Sequence, residues 1–97
     1  MDASTSTVTF TVTDVERVEG AGRLIALAII ELELDGVALV VQGVRVVRQN
    51  NRIATEAPRF RDPRTGQWVP ALILPDELGR AIAREVHRIL MKRSAAV

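Results

Sequence analysis

From Val8 the chain alternates, with Val8, Phe10 and Val12 on one side and Thr9, Thr11 and Thr13 on the other. A period of two in a stretch rich in β-branched residues predicts a strand with one buried and one solvated face. Gly20-Ala21-Gly22 interrupts the pattern as a hairpin turn. The next stretch, Arg23 to Leu34, opens almost wholly apolar and closes in alternation, Ile30, Leu32 and Leu34 against Glu31, Glu33 and Asp35. It reads as a strand covered on both faces at its start and half-solvated at its end. Asp35-Gly36 is a strong hairpin signal, and a third strand follows from Val37 to about Val47. Its apolar phase slips at Gly43, which predicts a bend or bulge there.

Asn50-Asn51 marks another turn, because asparagine tolerates left-handed backbone angles. Ile53 to Ala57 can form a short fourth strand, ended by Pro58. Asp62-Pro63-Arg64-Thr65-Gly66 places proline and glycine where a tight turn wants them, and Trp68 to Leu74 is expected to return as a short strand. The last element is a helix. Pro75 is expected at its first position, with Asp76 and Glu77 in the first turn where they suit the dipole. Leu78, Ile82, Val86 and Ile89 form one stripe, and Arg80, Arg84, His87 and Arg88 lie opposite it. The expected fold is α+β: an antiparallel sheet of four to five strands with one C-terminal amphipathic helix. Residues 1–7 read as a flexible tail and residues 8–93 as a single domain, without an internal repeat.

Composition narrows this further. The chain has 97 residues, 47% of them hydrophobic, yet only Phe10, Phe60 and Trp68 are aromatic, so the core is aliphatic. A domain of this size buries a modest share of its surface, and pairing with a second copy would add core. There is no cysteine, hence no disulfide or thiolate metal site, which fits a cytoplasmic location. Residues 1–7 lack the features of a signal peptide. The longest apolar run, Leu24 to Ile30, is far below the ~20 residues of a membrane span. No membrane association is expected.

Charge changes the picture most. The net charge is only +1, but it is unevenly distributed. Residues 1–43 carry two arginines against seven acids, whereas Arg45 to Gly66 holds six arginines (Arg45, Arg48, Arg52, Arg59, Arg61, Arg64) against Glu56 and Asp62. One half repels phosphate and the other attracts it, which is an argument about partners.

Little here supplies catalysis, and the chain is read as a non-enzyme without cofactor or catalytic residues. His87 is the sole histidine and sits among arginines on the polar helix face, where a solvated role suffices. Glu31, Glu33 and Asp35 can be imagined around a divalent cation, but the solvent face of a hairpin explains them, and no metal ligand is assigned. No phosphate-binding glycine loop or serine elbow is present.

The arginines remain. Arg45 and Arg48 are three apart and should face opposite sides of a strand. Arg59 and Arg61 share a parity, with Arg64 at the tip of their arm. Phe60 and Trp68 flank that arm, and Trp68 is either core or a surface on which an unpaired base could stack, worth ~1–3 kcal/mol. Arg80, Arg84 and Arg88 repel at successive i,i+4 spacings, which a bound anion would relieve. A solubilising surface, or ion pairs to Glu31 and Glu33, is the plainer account of the same cluster.

Val12-Thr13-Asp14-Val15, then Gly22-Arg23-Leu24 leading into Ala26-Leu27-Ala28, resembles the opening of the SpoVG family (stage V sporulation protein G, a septation regulator). The resemblance continues through Val44-Arg45-Val46-Val47, Asn51, Pro58, the basic loop to Gly66, Trp68 and Pro75, spanning roughly residues 11 to 90. It implies a homodimer formed by strand pairing, in a cytoplasmic bacterial regulator that binds DNA or RNA and affects gene expression, sporulation and cell division. Arg45, Arg61 and Arg64 match the family's basic elements, and Arg80, Arg84 and Arg88 fall where its nucleic-acid contacts would map. The chain departs from the family in having Arg52 where an Asn-Gly pair is usual, an extra Thr65, and no histidine in Leu72-Ile73-Leu74-Pro75. The expected nucleic-acid-binding set is therefore Arg45, Arg59, Arg61, Arg64, Arg80, Arg84 and Arg88, with Trp68 for base stacking. The competing reading is a protein-interaction module that docks a partner on its sheet edge and Leu72–Leu74, without binding nucleic acid.

Overall fold

The alternating segments pair in chain order. The computed structural model describes residues 8–95, so the tail expected at 1–7 lies outside the described residues. Strands β1 (Val8–Arg17), β2 (Leu24–Leu34), β3 (Val37–Gln49) and β4 (Arg52–Glu56) form one antiparallel sheet in the order β1-β2-β3-β4. Strands β5 (Arg59–Arg61) and β6 (Trp68–Pro70) form a separate two-stranded sheet, and helix α1 (Asp76–Ala95) follows. The α+β architecture agrees with the pattern of the sequence. Two details differ. The return strand ends at Pro70 rather than Leu74, and the last two strands make an arm of their own. Pro58, which lacks an N–H, stands between β4 and β5, and the Ala71 N–H donating to its carbonyl at 2.8 Å closes the base of the arm.

The turns form for the reasons their residues suggest. Asp35 and Gly36 both take positive φ, 50° and 84°, as a two-residue hairpin between Leu34 and Val37 requires. Asn50 and Asn51, at 51° and 64°, do the same between Gln49 and Arg52. Arg52 thus begins β4 outside the turn, and no glycine is needed at its position.

Three irregularities aim the side chains. Between Ala28 and Ile30 the partner residue jumps from Val44 to Val41, so β3 carries an extra residue at Gly43, whose φ is 74°. Leu39 and Val41 therefore share a face with Val44 and Val46 despite the change of parity. Thr13 is the extra residue of β1, which lets Val15 join Phe10 and Val12. A third shift lies at Ile25.

Helix α1 crosses that face. Its buried stripe is Ile82, Ala83, Val86 and Leu90, with Leu78 and Ile89 half-buried beside it, packed on Val15, Ala26, Ala28, Ile30, Val44 and Val46. Pro75 sits one position earlier than the sequence suggests, its carbonyl accepting the first helical bond from the Gly79 N–H at 2.9 Å. The start of α1 is fastened to β4, where Thr55 Oγ1 donates to the Gly79 carbonyl at 2.8 Å. Its end is fastened to β1, where Arg93 Nη1 donates to the Val15 carbonyl at 2.8 Å.

The far end of the sheet stays uncovered. Val8, Val37, Leu39 and Val40 are exposed there. Strand β4 pairs only with Arg45–Gln49, so residues 37–44 of β3 form an edge without a partner strand among the described residues. The radius of gyration, 15.0 Å, exceeds the ~13 Å of a compact chain this long, consistent with a long hairpin and a projecting arm.

Candidate nucleic-acid interface

The arm's register decides which of its side chains act together. Arg59 pairs with Pro70, Phe60 with Val69 and Arg61 with Trp68. Directly opposed residues share a face, so Arg59, Arg61 and Trp68 lie on one face and Phe60 on the other. Trp68 is 64% exposed, which excludes the core role and leaves its ring open to solvent. The turn is self-contained: Asp62 Oδ1 accepts from the Arg64 N–H at 2.8 Å, and the Gly66 N–H donates to the Asp62 carbonyl at 2.7 Å. Asp62 is thereby occupied locally, in an Asx turn of the kind that favours aspartate at this point. Arg61 Nε donates to the Gly66 carbonyl at 3.2 Å, so Arg61 braces the loop from below.

Arg45 faces this arm from the sheet. It lines a cleft of about 410 Å³ together with Leu27, Pro58, Arg59 and Trp68. Its charge is shared: Arg45 Nε donates to Glu56 Oε1 at 3.3 Å, while Arg23 Nη2 donates to Glu56 Oε2 at 2.6 Å. Partial burial pushes the Glu56 carboxyl up, but the hydrogen bonds and charges of the two arginines outweigh it and hold it below the usual glutamate range. A carboxylate lowered in the folded state stabilises the fold above its unfolded pKa and loses that contribution as pH falls through the folded value. Glu56→Gln should therefore cost about 0.5–2 kcal/mol near neutral pH, two ion pairs of ordinary worth. Thermal melts of variant and parent should begin to converge as pH falls below the usual glutamate range, and coincide only below the lowered value of the folded state.

The helix arginines divide. Arg88 pairs with Glu85 through both Nε and Nη2, which lowers the Glu85 carboxyl and raises the Arg88 guanidinium. The repulsion expected along Arg80, Arg84 and Arg88 is thus relieved from within at its last member. The side chains of Arg80 and Arg84 are exposed and have no partner among the described residues, as is true of the side chains of Arg48, Arg52, Arg59 and Arg64.

Arg45 and Arg48 do point to opposite faces. Arg48 opens on the helix side, in a cleft of about 450 Å³ shared with Arg52, Arg84 and His87. The sequence reading left Arg48, Arg52 and His87 out of the site. Arg48 and Arg52 flank the Asn50-Asn51 turn, which was a usable signal for their proximity; nothing local in the sequence predicts that α1 brings Arg84 and His87 to them. Arg59 of the arm and Arg84 of the helix line different clefts. They form two basic regions, one on each face of the sheet.

Among the described residues no group of three or more His, Cys, Asp or Glu is arranged to hold a metal ion, and no helix is long and apolar enough to cross a membrane. Compared with protein-family models and with curated proteins, the chain matches none.

Proposed function

We propose that the protein is a small homodimeric nucleic-acid-binding regulator, acting on gene expression or septation as the SpoVG resemblance implies. The observation that carries this reading is the arm: its register gathers Arg59, Arg61 and an exposed Trp68 on one face. Guanidinium groups beside an open indole suit a phosphate backbone with bases available for stacking. Arg80 and Arg84, without a side-chain partner among the described residues, supply further phosphate contacts, while the acids Glu31 and Glu33 lie exposed near the Asp35-Gly36 turn. Binding of this kind positions a protein on nucleic acid with weak sequence readout.

The open edge of β3 supports strand pairing with a second copy. Residues 37–41, Val-Ala-Leu-Val-Val, are apolar, carry no charge and contain no proline, features that natural edges avoid unless they pair.

The test is a mobility-shift series on duplex DNA, single-stranded DNA and RNA. The parent should shift at least one of them at low salt. If ~6–10 arginines of a dimer meet phosphates, affinity falls ~10³–10⁵-fold between about 50 and 200 mM salt. Arg59→Glu with Arg64→Glu should weaken binding at least about tenfold and flatten that salt dependence, with the dimer mass unchanged. No shift on any of the three substrates overturns the proposal.

A second reading rests on Ile73, which is 90% exposed beside a shallow cleft lined by Trp68, Leu72 and Leu74. An apolar patch of that kind suits a protein partner. Loss of assembly in the arm variant would favour it.

A further inference from the structure

The cleft on the helix side combines features that the arm lacks. Its rim carries Arg48 from β3, Arg52 from the start of β4, and Arg84 and His87 from α1. None of these four has a side-chain partner among the described residues, and no carboxylate lines the cleft. Arg17 closes one wall and donates to Ser94 Oγ at 3.3 Å. The floor is apolar, made of Ile25, Ile53, Ala83 and Leu90. Three guanidinium groups and an imidazole therefore converge, uncompensated, over a hydrophobic base. The volume, about 450 Å³, lies in the range of small-ligand sites, which are typically apolar pockets with a few convergent polar groups.

A bare anion would satisfy the rim and leave the floor unused. A duplex would present phosphates to the rim while keeping its bases stacked out of reach. We infer that this cleft binds one nucleoside phosphate unit, with the phosphate on Arg48, Arg52 and Arg84 and the base against Ile25, Ile53 and Leu90. His87 offers a ring N–H to the phosphate or sugar. The unit is an unpaired nucleotide of a single strand or a free mononucleotide, since both present the same chemistry. For the single strand, the assignment rests on the nucleic-acid-binding reading and specifies which form of nucleic acid the protein takes; for the free nucleotide it stands without it.

Titration calorimetry with the full chain separates these. The probes are a short single-stranded oligonucleotide, its duplex, adenosine monophosphate and inorganic phosphate, each added to the parent and to Arg48→Gln with Arg84→Gln. Both substituted residues are exposed, so a thermal melt should show the variant folded. Single strand should bind more tightly than duplex, adenosine monophosphate should compete with it, and the variant should lose at least about tenfold, the worth of one charge-assisted hydrogen bond. Mononucleotide binding that the variant loses, without any oligonucleotide binding, keeps the cleft and rejects the nucleic-acid reading. Oligonucleotide binding that the variant retains in full overturns the cleft and leaves the nucleic-acid reading standing. Inorganic phosphate competing as well as the mononucleotide also overturns it, because the apolar floor would then contribute nothing. No binding of any probe by the parent overturns both.

Discussion

Ile82→Ala should destabilise the protein by about 2–5 kcal/mol, the range for truncating a buried isoleucine whose cavity cannot fully collapse. Ile82 is 1% exposed and sits in the middle of the helix stripe, in one core cluster with Val44 and Val46. The effect is large because the core is thin. Both phenylalanines and the tryptophan are outside the fully buried set, so closure rests on aliphatic side chains of modest volume. Four of the twelve buried apolar residues belong to α1, and three of those are larger than alanine. A domain of this size has roughly 5–15 kcal/mol in total, and each kcal/mol moves the midpoint by about 4–8 °C. The melt should accordingly fall by at least about 8 °C, measured at fixed protein concentration because pairing would add its own stabilisation. A shift of only a degree or two would mean that α1 does not close the core as described.

Val37→Lys with Val40→Lys should convert a two-chain species into a single chain. These residues are 59% and 60% exposed, so the fold of one chain has little to lose from the change. The proposed pairing has much more to lose. In a two-fold interface every substitution occurs twice, so the joined edges would carry four lysines, two on each face of the sheet. Lysine is also the residue with which natural sheets block edge-to-edge pairing. Sedimentation equilibrium should give twice the chain mass for the parent and the chain mass for the variant. A variant that keeps the parent's mass would place the interface elsewhere, with the exposed Ile73 segment the next candidate.

These two substitutions sit at opposite ends of what a linear reading can reach. Ile82 belongs to a period of 3.6 that is visible along the chain, and Leu78 and Val86 confirm the stripe. Leu90 is buried where Ile89 was expected, a rotation of one position that follows from how α1 lies across the sheet. The edge at Val37–Val44 is different. Its strand is legible from alternation and from the Asp35-Gly36 turn, but its openness depends on β4 being five residues long. The functional region divides in the same way. Arg59, Arg61 and Arg64 are visibly an arm, and Trp68 is visibly near them; that the indole is exposed follows only from the arm standing apart as its own sheet.

By itself the sequence determined the α+β class, the two hairpin turns at Asp35-Gly36 and Asn50-Asn51, the slip at Gly43 and the amphipathic helix. All of these arise from neighbours within a few residues: a side-chain period, a tolerated positive φ, a proline at a helix start. The tertiary structure alone decided which arginines are spent and which remain. Glu56 of β4 reaches Arg45 of β3 and Arg23 in the turn before β2, and α1 carries Arg84 and His87 to Arg48 and Arg52. Charges interact through space, so their pairing depends on packing between distant segments, which no local pattern records.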